Sequence, residues 1–145
     1  MKQKYINTHM VVAETYAGLS TATRLKVGAI VVKDDRIISI GYNGMPSGWD
    51  NNCEYEVSPG FGEAIPPVLK SKPEVLHAET NAIAKLARSN ENGLNATMFI
   101  THAPCLDCAK LIYQSGISNV YYRNAYREST GVEFLLKSGV EVEQI

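Results

Sequence analysis

Two short stretches carry the side chains whose types and spacing can do metal-assisted chemistry. In Pro104-Cys-Leu-Asp-Cys108 the two cysteines are three positions apart, so on a helix their sulfurs share one face and can grip one ion. The third donor is His77, just before a helical run, because imidazole and thiolate are what borderline-soft Zn²⁺ accepts. Three protein ligands leave one tetrahedral corner open, the mark of catalytic rather than structural zinc. Pro104 is tolerated at a helix start, and the free N–H groups and positive dipole end there favour thiolates over thiols. A dithiolate site polarises water less than an all-imidazole one, so a separate base becomes valuable. Glu79, two residues after His77, fits that role: positions i and i+2 do not face one another in a helix interior, but an ion lying off the helix end touches His77 while Glu79 reaches the water. Taken separately, Cys-x-x-Cys also serves as a redox pair and a histidine before a helix as a cap. The joint pattern is far more specific than either half.

These residues need elements that bring positions 77–79 and 105–108 together. Apolar Ile6, Met10, Ala13 and Ala17 recur at helical spacing over about 4–19, with Gly18 and Ser20 at the stop. Val27-Gly-Ala-Ile-Val-Val32 and Ile37-Ile-Ser-Ile-Gly-Tyr42 are β-branched runs joined by charged Lys33-Asp-Asp-Arg36, which predicts an antiparallel hairpin. Helices are expected over 77–88, 105–114 and 130–137, and strands over 97–101, 119–122 and 140–142. Strands alternating with helices imply parallel crossovers and helices on both faces. From Asn43 to about Pro73 the chain is rich in Gly, Pro and Asn and loses periodicity; a loop that long is expected to be a functional lid.

With 145 residues and 45% apolar content, residues 1–145 are long enough to bury one core and are expected to form a single domain, with the loop insertion at about 45–73. Fourteen basic against fifteen acidic residues, net −1, argues against an electrostatic nucleic-acid binder. Three cysteines fit a reducing compartment better than a disulfide framework. Glu14 and polar breaks interrupt the opening apolar run, so neither a signal peptide nor a membrane span is expected and the location predicted is cytoplasmic, in the host if the chain is viral.

His-x-Glu with Pro-Cys-x-x-Cys is the recurring signature of zinc deaminases. Through Val27-Gly-Ala29, Gly41-Tyr-Asn-Gly44, His77-Ala-Glu-Thr-Asn-Ala-Ile83 and Pro104-Cys-Leu-Asp-Cys-Ala-Lys110, the chain resembles the deoxycytidylate deaminase branch of the cytidine/deoxycytidylate deaminase superfamily, over nearly its whole length and weakest between Asn51 and Pro73. The resemblance implies an α/β, three-layer α/β/α cytidine-deaminase-like fold with a central mixed five-stranded sheet. It implies hydrolysis of dCMP to dUMP and ammonia, supplying dUMP for thymidylate synthesis, with one catalytic Zn²⁺ on His77, Cys105 and Cys108 and Glu79 moving the protons. It further implies a homohexamer activated by dCTP, with Mg²⁺ accompanying the triphosphate, and inhibited by dTTP.

Carried over by resemblance, Asn43 meets the sugar 3′-hydroxyl and Arg88 and Tyr126 bind phosphate; Ala78 is a further substrate-binding candidate, and Arg24, just before the first strand, is placed to add a second charge to the phosphate pocket. Gly41, Tyr42, Asn43 and Gly44 are the effector candidates, though the same turn suits the active site. Plainer roles stay open: a turn asparagine for Asn43, a cation at a helix C-terminus for Arg88, exposed or half-buried surface residues for Arg24 and Tyr126. Arg88 lies eleven residues past His77, roughly 16 Å along a helix, so reach within one subunit is not assured. Cys53 has no nearby cysteine or histidine partner and is read as a thiol in the lid, not a second zinc ligand. His102 is read as lining the pocket or the surface. The rivals are a tRNA adenosine-type nucleic-acid deaminase, which needs a basic, aromatic strand-binding surface, and a non-catalytic zinc-binding module, which needs a fourth protein ligand.

Overall fold

In the computed structural model, which describes residues 1–58, 60 and 66–145, the two β-branched runs form β1 (Gly28–Lys33) and β2 (Arg36–Tyr42), paired antiparallel. Asp34 and Asp35 between them have φ of 50° and 59°, the left-handed pair of a type I′ turn, whose twist matches the flanking strands and which Asp tolerates. The leading helix is α1 (Gln3–Ala17). After β2 come β3 (Glu54–Val57), β4 (Val68–Ser71), α2 (Ala78–Ala87), β5 (Thr97–His102), α3 (Leu106–Gln114), β6 (Asn119–Asn124), α4 (Thr130–Lys137) and β7 (Glu141–Gln144).

The segment expected to lack strands contains one antiparallel pair, β3 with β4. Apart from buried Glu54 and half-buried Val57 and Leu69, its residues are exposed, so no alternation of apolar and polar side chains announces it. Residues 59 and 61–65 of the expected insertion lie outside the described residues.

The main sheet has five strands in the order β2-β1-β5-β6-β7. β1 is antiparallel to both β2 and β5, while β5, β6 and β7 run parallel, so β2, β5, β6 and β7 all point the same way. The crossovers through α2, α3 and α4 each move across the sheet in one direction. Right-handed connection therefore places all three on one face, where Ala78, Ala82 and Leu86 of α2, Ala109 and Ile112 of α3 and Leu135 of α4 join one apolar cluster. The other face is left to α1, whose Ile6, Met10 and Ala13 pack on Ile30, Val32 and Phe99. The result is the three-layer arrangement expected. No described helix is long and apolar enough to cross a membrane.

Gly41 sets how closely α2 approaches the sheet. A Cβ there would strike the Ala78 carbonyl and come within 2.7 Å of the Ala82 nitrogen, both backbone atoms of the helix that His77 caps. Overpacking against backbone costs roughly 1–3 kcal/mol. Gly41→Ala is expected to lower Tm and weaken zinc retention together, read by thermal melting and metal content; a lower Tm with full zinc retention would separate Gly41 from the site.

Candidate active site and metal centre

Because β2, β5 and β6 end at the same edge of the sheet, α2 and α3 both begin there. His77 is the N-cap of α2 and Cys105 the N-cap of α3, so two helix N-termini converge with their unpaired N–H groups and positive dipole ends. Pro104 precedes the α3 cap instead of occupying its first turn. Two backbone approaches fix the convergence. Gly44 and Leu76 exchange hydrogen bonds of 3.1 and 2.8 Å just before His77, and Gly131 at the start of α4 lies where a Cβ would meet the Pro104 and Cys105 backbone.

Among the described residues, His77, Cys105 and Cys108 are the one group of three potential metal ligands, their donor atoms all within 4.8 Å of each other. His77 Nδ1 is 3.3 Å from Cys108 Sγ and 3.7 Å from Cys105 Sγ. Zn–N of about 2.05 Å and Zn–S of about 2.3 Å at the tetrahedral angle put N and S about 3.5 Å apart, so the three donors fit zinc with little adjustment. As the ligands stand, hydrogen bonds from Cys108 and His77 pull the Cys105 thiol down to about 4. The same Cys105 contact, with burial, pushes Cys108 up, and Cys105 also raises His77 above its ordinary value.

Glu79 is 5% exposed, in the first turn of α2, and burial pushes its carboxyl above the ordinary carboxylate range. A desolvated carboxylate beside a metal corner is suited to take and return a proton near neutral pH. His77 and Glu79 are therefore adjacent in space, but Glu79 is not among the ligand cluster.

The site opens into a cavity of about 710 Å³ lined by His77, Ala78, Glu79 and Cys105 at the metal end. Arg24, Lys72, Tyr126 and Arg127 also line it, and the Arg127 guanidinium lies 5.6 Å from the Tyr126 ring centroid. The cavity thus occupies the crevice beyond the carboxyl ends of parallel strands, the usual ligand position of open α/β sheets. Asn43 lines it too, with its amide partly spent: Oδ1 accepts from Val27 N and Nδ2 donates to the Leu25 carbonyl, both at 2.8 Å. One N–H and one lone pair remain for a ligand. Ala78, buried in the first turn of α2, offers one of the helix's unpaired N–H groups.

Arg88 is not brought to this cavity. It is the exposed C-cap of α2, at the opposite end from His77, because the straight helix carries it there. Gly41, Tyr42 and Gly44 also lie outside the lining and serve the backbone: Tyr42 accepts from Asn81 Nδ2 at 2.8 Å. Cys53 is buried and sits 3.4 Å from Thr21 Oγ1. Sequence reasoning missed Lys72 and Arg127. It also missed Glu54, a buried carboxylate whose Oε1 accepts from the N–H groups of Thr23 and Arg24 at 2.8 and 3.1 Å. With Arg24 Nη1 donating to Ser71 Oγ at 3.3 Å, Glu54 ties the β3–β4 pair to the loop before β1 as one wall of the cavity.

Residues 2–124 match the family model for the cytidine and deoxycytidylate deaminase zinc-binding region. The chain is 37% identical over 150 residues to the deoxycytidylate deaminase of Enterobacteria phage T4, across 81% of this chain and 77% of that one. It is 38% identical over 114 residues to the human deoxycytidylate deaminase, across 78% and 61%. A dCMP deaminase from cyanophage S-TIM5, solved in complex with dCMP and dUMP, superposes with a TM-score of 0.89 at 43% identity, covering 100% of this chain and 99% of that one.

Proposed function

Because the chain belongs to the cytidine and deoxycytidylate deaminase family, we propose that it hydrolyses dCMP to dUMP and ammonia. The observation that carries the substrate choice is the cavity itself, with a metal end and three cationic side chains, Arg24, Lys72 and Arg127, along its walls. On a chain of net charge −1, that concentration of positive charge in a concave site suits one phosphomonoester.

When bound by His77, Cys105 and Cys108, zinc supplies a Lewis-acidic open corner that makes water a nucleophile near neutral pH. Glu79 takes a proton from the attacking water and delivers it to ring N3, while the oxygen bonds to C4. It then carries the second proton from that oxygen to the 4-amino group. The C4–N bond breaks, ammonia leaves, and the ring is left as uracil with N3 protonated. The buried position of Glu79 keeps bulk water from competing for the proton. Asn43 directs its remaining N–H toward the sugar, and Arg24, Arg127 and Tyr126 hold the phosphate. Arg88 contributes to phosphate binding only if it enters from another subunit.

The homohexamer, dCTP activation with Mg²⁺ and dTTP inhibition are part of the same reading and are supported by the family resemblance. A ligand held at Gly41–Gly44 would press on the start of α2, through the Gly41 contact with Ala78 and the Gly44 pairing with Leu76.

Initial rates on zinc-loaded protein with dCMP, deoxycytidine and CMP, with and without dCTP, test this reading. Fast turnover of dCMP alone is expected, and no turnover of any of the three overturns it. Removing one partner of a charge-assisted hydrogen bond costs about 1.5–3 kcal/mol, so Arg127→Ala is expected to raise KM for dCMP by about tenfold or more. An unchanged KM would remove Arg127 from the phosphate site.

A further inference from the structure

His102 ends β5 and lines the cavity, its ring half-buried. The side chain before it, Thr101, is 3% exposed, and its Oγ1 lies 3.1 Å from Gly28 N and 2.9 Å from His102 Nδ1. These two contacts fix a proton. The Gly28 N–H can only donate, so Thr101 Oγ1 accepts from it. The hydroxyl's own proton then has one acceptor in reach among the described residues, His102 Nδ1. If Nδ1 instead donated, the buried hydroxyl proton would be left without a partner, which native interiors avoid. His102 therefore keeps Nδ1 as acceptor and carries its proton on Nε2, the ring nitrogen with no hydrogen-bond partner among the described residues. Burial lowers the imidazole's proton affinity, in the same sense.

The topology says which part of a nucleotide this donor faces. His102 pairs in register with Asn124 on β6, next to the turn that carries Tyr126 and Arg127. Three extended residues to Cys105 span at most about 11 Å, so the ring lies within one nucleotide's length of the metal end. The base edge is served by Glu79 and the metal ligands, and the sugar side by Asn43. Resting on the reading of the cavity as a 5′-nucleotide site, we infer that His102 is a specificity-determining residue, a neutral imidazole donating from Nε2 to the substrate phosphate beside Tyr126 and Arg127. Thr101 is the positioning residue that sets its tautomer.

The test compares kcat/KM for dCMP and deoxycytidine in the zinc-loaded parent, His102→Leu and His102→Gln, whose amide nitrogen approximates the place of Nε2. His102→Leu is expected to lower the dCMP-to-deoxycytidine ratio by about tenfold through KM, as for loss of one hydrogen bond to a charged group, and His102→Gln to recover most of it. An unchanged ratio, or an equal loss for both substrates, overturns the assignment. Nitrogen NMR of the zinc-loaded parent gives a readout that packing alone does not move. Nδ1 is expected to be unprotonated, and the Nε2 signal to shift with dUMP and not with deoxyuridine; a protonated Nδ1 or no dUMP-specific shift overturns it. Failure of the nucleotide reading shows separately, as absent dCMP turnover by the unsubstituted chain.

Discussion

Glu79→Ala is expected to keep one zinc per chain and lose nearly all turnover. A positioned general acid–base is worth about 10²–10⁴-fold, and the upper end is expected because the proposed mechanism gives both proton transfers to one carboxyl and, among the described residues, Glu79 is the one buried carboxyl beside the ligands. Zinc should stay, since the three donors that fit the ion do not include Glu79. Metal analysis and steady-state rates on the same preparation check both halves, and metal loss on substitution would overturn the division between ligand and base. Glu79→Gln sharpens the test. Burial raises the Glu79 carboxyl above its ordinary 4.5, so the folded state binds that proton more tightly than the unfolded chain does. The sign follows from linkage: as pH rises past 4.5 toward the folded value, this group lowers stability, and the loss is retained at neutral pH. Without zinc at pH 7, Glu79→Gln is therefore expected to melt higher than the zinc-free parent, and zinc-loaded Glu79→Gln to be inactive where the loaded parent turns over, a trade of stability for function at one side chain.

The catalytic core was legible because its chemistry is local. His77 with Glu79 and Cys105 with Cys108 sit at two helix starts, and each pair states its own geometry within a turn. The hairpin, the helices and the parallel crossovers followed from β-branched runs and helical spacing in the same way, to within a residue or two at most ends, while the five-stranded mixed sheet came with the family resemblance. The cationic wall of the cavity was harder. Lys72 and Arg127 reach the cavity only after the β3–β4 pair and the turn beyond β6 have folded against the strand ends, and nothing in their neighbourhood distinguishes them from surface cations. Glu54 shows the limit more sharply. It is buried because its partners are the backbone N–H groups of Thr23 and Arg24, some thirty residues earlier, and backbone donors leave no mark in the sequence. Arg88 illustrates the converse. Its distance from His77 along the chain is one helix length, which a motif match does not convert into a position in space.

Cys108→Ala is expected to abolish both turnover and the dependence of stability on zinc. Cys108 is buried in the α3 turn behind Cys105, and with it gone two donors remain, below the three that hold a catalytic ion. A ligand that binds the folded state alone stabilises it by about 4 kcal/mol at a thousand times its dissociation constant. For a domain of this size that is roughly 10 °C in Tm, so chelating zinc from the parent should lower its melt by that order, and Cys108→Ala should melt at one temperature with or without the metal. Acid should act on the parent as chelation does. His77, held above its ordinary value chiefly by the Cys105 hydrogen bond, and Cys108, pushed up by the same neighbour, must both be deprotonated to bind zinc. Protons therefore compete harder as pH falls, and the zinc-dependent part of Tm should shrink below neutrality. A zinc-dependent Tm that persists in Cys108→Ala would mean that the ion is held elsewhere, and would dissolve the metal end of the cavity on which the deaminase mechanism depends.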